Sequence, residues 1–242
     1  MHFLILINFF IMLLSDYVNK VREFFEKHGN ASDAEAMSAY MKHNFPFLGI
    51  LAPKRKDLFK VFFNTFPLPN YDETKLLVKE LFNLPEREYH YFALQLLIKH
   101  KRKWSPTDIV YFESLILTKS WWDTVDIIST KIIAPFFVKY PNLTVAITDS
   151  WSQSKNLWLK RASITFQMPY KKKTEIELLS RHILENAEYN DFFIQKAIGW
   201  ALRVYSKTNH KWVLNFVIQN STLKPLSKRE AIKWMDNKGK IV

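Results

Sequence analysis

The sequence predicts an all-α protein, an α-solenoid of stacked helical pairs with one concave basic face, and three observations carry that prediction. Apolar residues recur at helical rather than strand spacing along most of the chain. Helix start and stop signals fall between the periodic segments. Equivalent residues return at intervals of 34 or 35, a period in the range of two-helix repeats.

The expected helices run 16–28, 33–43, 54–65, 73–83, 87–101, 106–118, 121–138, 143–153, 157–167, 174–186, 190–206, 210–219 and 227–236. Ser32-Asp33-Ala34-Glu35 and Ser227-Lys228-Arg229-Glu230 fit the capping box, in which a hydroxyl and an acid three residues on satisfy the first backbone N–H groups. Ser105-Pro106-Thr107-Asp108 places a capping serine before a proline at the first helical position, with an acid in the first turn. Pro85, Pro141 and Pro225 separate neighbouring helices.

Arg161-Ala162, Lys196-Ala197 and Glu230-Ala231 each lie early in an expected helix, at spacings of 35 and 34. One period before Arg161 stands Asp126, and Trp200 and Trp234 are again 34 apart. In a solenoid, such positions line one face, so Asp126, Arg161 and Lys196 are expected to form a row.

Residues 1–14 are almost wholly apolar, broken by His2 and Asn8. That is shorter than the roughly 20 residues a membrane helix needs, and it lacks a signal peptide's basic start and small-residue cleavage site. We read it as an extension, with Met12 an alternative start, ahead of one repeat domain at 15–242.

A net charge of +12 favours an acidic partner, nucleic acid before a membrane surface. The absence of cysteine excludes disulfides and thiolate chemistry. Four dispersed glycines exclude a Gly-rich phosphate loop, and singly scattered histidines argue against a metal site.

Against that charge, Ser120-Trp121-Trp122-Asp123-Thr124-Val125-Asp126 is unusual. Trp122 and Asp126, four apart on a helix, share a face. A carboxylate weakens the hold on a polyanion, so on a phosphate-binding surface it points to chemistry. An indole face and a carboxylate together suit a substrate that is, or becomes, cationic. Trp121 and Asp123 are expected to be structural. Arg161, one repeat on, has two readings: a bidentate phosphate holder or an ion-pair partner of Asp126. Gly199, inside a helix at a cost of about 1 kcal/mol relative to alanine, implies a close approach to the backbone there. Lys54 and Arg55 follow Pro53 at a helix start, and Lys171, Lys172 and Lys173 precede another. Both arrangements can seat phosphates.

The segments "YMKHNFPFLGILAPKRK", "SWWDTVD", "LWLKRASI", "KAIGWALRVYSK" and "LSKREA" together resemble the AlkD-type DNA alkylation repair glycosylases, built from HEAT-like repeats, from about residue 16 onward. The resemblance implies catalytic roles for Asp126, Trp122, Trp200 and Arg161. Tyr40 matches an aromatic that faces the lesion. Lys42, Lys54, Arg55, Lys160, Lys196 and Arg203 are the expected DNA contacts. Where the family often has Arg-Arg, this chain has Lys160-Arg161.

The implied activity is excision of positively charged alkylated purines, chiefly 7-methylguanine and 3-methyladenine, from double-stranded DNA without metal or organic cofactor; a monomer is the simplest assembly. The implied location is the cytoplasm and nucleoid of a bacterium or the nucleus of a eukaryote. A non-catalytic DNA-binding module, a protein-interaction scaffold and a membrane-surface protein are the alternatives.

Overall fold

A computed structural model describes the backbone of residues 2–239 and the side chains of residues 14–239. Fourteen α-helices and no strands occur among the described residues, and none of these helices is long and apolar enough to cross a membrane. The chain divides into two compact units, Met1–Lys103 and Trp104–Val242.

The first unit holds α1 (His2–Glu26), α2 (Ala31–Tyr40), α3 (Ala52–Thr65), α4 (Tyr71–Asn83) and α5 (Arg87–Lys99). The apolar extension and the helix expected from residue 16 form one helix, α1. The packing expected for the side chains of residues 1–13 lies outside the described residues. The core of this unit is aromatic, with Phe25, Phe62 and Phe92 fully buried and in mutual ring contact.

The segment between α2 and α3 is tied down by Glu88, whose buried carboxylate accepts backbone N–H groups from Leu48, Gly49 and Ile50 at 3.0 Å each. Gly49 has a φ of +82°, and a Cβ there would lie 1.9 Å from the Asn30 carbonyl oxygen, so glycine alone fits.

Cap placement differs from expectation at several helices. Asn30, rather than Ser32, caps α2 by accepting from Asp33. The helix also stops at Tyr40, because Lys42 and His43 adopt left-handed φ values of 58° and 55°. A complete capping box forms at Asn70 and Glu73 on α4, where no box was expected. Ser227 caps nothing, since its hydroxyl donates across to the Gln195 carbonyl.

The second unit holds α6 (Asp108–Leu117), α7 (Trp122–Ile127), α8 (Ala134–Lys139), α9 (Thr144–Gln153), α10 (Leu157–Thr165), α11 (Ile176–Glu185), α12 (Phe192–Ser206), α13 (His210–Gln219) and α14 (Pro225–Asp236). Before α6, Asp108 accepts from the Ser105 N–H at 2.7 Å, but the helix begins at Asp108 with Thr107 ahead of it and no side-chain cap, so Ser105 does not cap it as expected. The expected helix 121–138 is realised as α7 and α8 joined by a π-helical turn, Ile128–Ile133. Pro135 explains the turn. It offers no N–H to the carbonyl four residues back, and the wider π geometry relieves the clash its ring would cause.

Successive helices α7, α10, α12 and α14 pack side by side. Side-chain bonds join them and the helices behind at near-constant separation: Tyr140 to Trp104 (36 residues), Arg161 to Asp126 (35), Ser129 to Thr165 (36), His182 to Asp149 (33), Asn186 to Ser152 (34) and Lys196 to Glu230 (34). The period read in the sequence is thus the contact register of a helical repeat fold. Each repeat buries its apolar face against the next. Ile164, Ile183, Ile198, Leu202 and Val213, all fully buried, belong to one such core.

Candidate functional site

Asp126 lies on α7, whose start is set by Trp121 in extended conformation (φ −156°). Trp122, the first helical residue, is half-buried, and Asp126 follows one turn later. Asp126 is 9% exposed and Arg161, on α10, is 4% exposed. Their contact is a two-pronged fork. Nε of Arg161 donates to Oδ1 of Asp126 at 2.8 Å, and Nη2 donates to Oδ2 at 2.8 Å. The third guanidinium nitrogen, Nη1, donates to the Phe193 carbonyl at 2.7 Å, at the start of α12.

Of the two roles open to Arg161 in the sequence, the structure realises the ion pair. The fork that could have gripped a phosphate holds Asp126. Burial pushes the Asp126 carboxyl above the usual carboxylate range and Asp123 adds to that, while the Arg161 guanidinium opposes both.

A hydroxyl contact one turn further along backs this pair. Ser129 and Thr165, both fully buried, lie 2.7 Å apart, and Thr165 also donates to the Arg161 carbonyl at 2.9 Å. Thr130 donates to the Asp126 carbonyl at 2.6 Å within the π-helical stretch. At the helix starts, Asn156 caps α10 and Asp191 caps α12, each by accepting two backbone N–H groups. Trp121, Trp158 and Phe193 then meet as one aromatic cluster across the three helices. Trp121 is therefore packing, as expected, and Asp123 is buried in the first turn of α7.

The next pair in the row is Lys196 and Glu230. Lys196 Nζ lies 2.8 Å from Oε1 of Glu230, and Nη1 of Arg203 lies 2.6 Å from Oε2. Glu230 is held on α14 directly over Gly199 of α12. A Cβ at residue 199 would stand 2.4 Å from the Glu230 Cβ and 2.9 Å from the Ser227 carbonyl oxygen. The close approach inferred from Gly199 is therefore a helix crossing. Trp200, half-buried, follows Gly199 on α12, one turn after Lys196.

The remaining expected contacts differ in their surroundings. Lys160 turns inward: its amine donates to the Ser152 carbonyl at 2.7 Å and the Asn186 side chain at 3.0 Å, and burial holds its pKa below the usual lysine range. Lys54 donates to the His28 carbonyl at 2.9 Å. Arg55 stacks over the Tyr91 ring at 4.1 Å. Tyr40, at the end of α2, is 70% exposed, and Lys42 follows on the exposed left-handed turn. Lys171, Lys172 and Lys173 are exposed.

Sequence reasoning singled out Lys196 and Arg203 but not their shared carboxylate. The signal was present, because Glu230 is the fourth member of the same register. Ser129 and Thr165 had no comparable signal, since buried hydroxyls look like any other small polar residues.

A family model described as DNA alkylation repair enzyme matches residues 21–235. The chain belongs to the DNA alkylation repair enzyme family. Among solved structures it is similar to a chain described as a predicted DNA alkylation repair enzyme from Enterococcus faecalis, with 34% identity and a TM-score of 0.78, covering 86% of this chain and 96% of that one. No curated protein gives a significant match. The DNA alkylation repair match begins after the apolar segment and spans all of Tyr40, Trp122, Asp126, Arg161, Trp200 and Glu230. Membership of a DNA repair family points to DNA as the partner, in keeping with the acidic partner that the net charge of +12 favoured.

Proposed function

We propose that the protein is a monofunctional DNA glycosylase that hydrolyses the N-glycosidic bond of positively charged alkylated purines, such as 7-methylguanine and 3-methyladenine, in double-stranded DNA. The observation that carries this reading is the buried Asp126 carboxylate, one turn from Trp122 and clamped by Arg161. Such a carboxylate is costly to bury and weakens a DNA-binding surface, so a role for its charge in catalysis explains its presence.

An N7- or N3-alkylated purine already carries the charge that lets it depart, so no general acid is needed. One carboxylate then suffices, where sugar hydrolases use two. As the glycosidic bond breaks, the deoxyribose becomes oxocarbenium-like. Asp126 stabilises that cation and orients the attacking water; 12% of its side-chain surface remains open to a bound sugar. Trp122 and Trp200 offer ring faces to the same charge. Arg161 fixes both carboxylate oxygens of Asp126 and keeps that group available as an anion. Tyr40, Lys42, Lys196 and Arg203 contact the duplex. The step draws only on water and side chains of this chain.

The test is release of free 7-methylguanine from methylated duplex by wild type and Asp126→Asn side by side. Release by wild type and none by the variant is expected; equal release by both overturns the mechanism. A second reading has its own support. The saturated Asp126–Arg161 fork also suits a purely structural ion pair in a non-catalytic DNA-binding module, and absence of release by wild type would favour it.

A further inference from the structure

Glu230 stands apart from the groups assigned to excision, yet it is built into the same row of helices. It is 8% exposed and gives one carboxylate oxygen to each of two cations, Lys196 at 2.8 Å and Arg203 at 2.6 Å. Those cations are far more open, with 37% and 27% of their side-chain surface exposed. The backbone that carries it cannot shift toward α12. The Glu230 Cβ is pressed against Gly199, where even a methyl group would meet it at 2.4 Å. A largely buried anion therefore holds two reachable cations.

We infer that Glu230 is a specificity-determining residue: a built-in counter-ion that competes with duplex phosphates for Lys196 and Arg203 and so limits the grip on undamaged DNA. The inference rests on the reading that duplex DNA lies along this row. A phosphate that approaches Lys196 or Arg203 must share it with a largely buried anion already paired to both. The gain from releasing DNA counterions at that contact is correspondingly reduced. A repair enzyme that scans undamaged duplex benefits, because sequence-independent phosphate binding is the term that would hold it in place.

The experiment is binding of wild type and Glu230→Gln to an undamaged duplex across a salt series. Glutamine preserves shape and removes the charge. The variant is expected to bind about tenfold tighter at 0.1 M salt, with a log–log salt slope steeper by about 0.9 for each phosphate newly engaged. Equal or weaker binding with an unchanged slope overturns the proposal and leaves Glu230 as a helix clamp.

Lys196→Met in the otherwise unaltered protein provides a second measurement independent of how Glu230→Gln folds. Because Lys196 is already neutralised, its removal should shift the slope by well under 0.9. A full loss of that size also overturns the proposal. Wild-type protein that binds no duplex at any salt sinks both this inference and the reading beneath it. Wild type that binds and excises while Glu230→Gln matches it sinks this inference alone.

Discussion

Asp126 and Arg161, 35 residues apart in the chain, meet through two parallel hydrogen bonds of 2.8 Å each. Both side chains are nearly sealed from solvent, at 12% and 5% exposed. Such a pair fixes the direction of the carboxylate more firmly than a surface contact does, and a broken half is expensive.

Asp126→Asn should therefore do two separable things. Excision of 7-methylguanine should be abolished while duplex binding stays the same or tightens, because a repulsive charge is removed. Thermal unfolding should show a loss of about 3 kcal/mol, since Arg161 keeps its buried charge and loses the anion that balanced it. Retained excision would contradict the proposed role for the carboxylate, and an unchanged melting temperature would contradict the buried-pair energetics.

The pH dependence has a defined sign. Burial raises the Asp126 carboxyl above its usual range, with Arg161 opposing. The ionised form is the working form, so excision should fall as pH falls through the folded value. Its acid limb should lie above the ordinary aspartate value of about 3.9. Single-turnover rates from pH 4 upward check this, and a limb at or below the ordinary value would count against it.

Glu230 carries the opposite sign. The Lys196 amine donating to it holds its carboxyl below the usual glutamate range. Its pairing contributes stability that is fully present above the unfolded value of about 4.3 and is lost as pH falls through the lower folded value. In melting curves, the stability difference between wild type and Glu230→Gln should shrink across that acid window.

Gly199→Ala reverses the usual helix rule. Alanine in an exposed helix interior normally gains about 1 kcal/mol over glycine. Here its Cβ would meet the Glu230 Cβ at 2.4 Å and the Ser227 carbonyl oxygen at 2.9 Å. The variant should instead lose about 1–3 kcal/mol by forcing α14 away from α12. A melting temperature at or above wild type would show that α12 and α14 do not close tightly at Gly199.

Ser129 and Thr165 make a clean double-mutant cycle. Ser129→Ala or Thr165→Val alone removes the 2.7 Å contact while the remaining hydroxyl keeps a backbone carbonyl, Arg161 for Thr165 and Ala162 for Ser129, and should cost about 0.5–1.5 kcal/mol. The double variant should cost less than the sum of the two, because the shared contact is lost only once. Additive losses in chemical denaturation would show that the hydroxyl pair is not one unit.

The helical repeat was legible in the sequence because one period sets the contact register through the second unit. The 34–35 spacing placed Asp126, Arg161, Lys196 and Glu230 in register, and the structure joins them as Asp126–Arg161 and Lys196–Glu230. Helix caps were less legible. Serine and asparagine both satisfy a first-turn N–H, and only the chain's path decides that Asn30 rather than Ser32 does so.

By itself, the sequence determined the fold class, the repeat register and the pairing of an indole with a carboxylate on α7, since these follow from spacing along one chain. Which partner each charge takes was decided by tertiary structure alone. A guanidinium free in sequence could face phosphate, carboxylate or water, and packing α10 between α7 and α12 turned that of Arg161 to Asp126 and the Phe193 carbonyl. The same holds for Lys160, drawn inward to Ser152, and for Lys196 and Arg203, gathered on Glu230. Periodicity fixes which residues become neighbours; the direction of a long, flexible side chain depends on burial and on the nearest opposite charge, which a linear pattern does not contain.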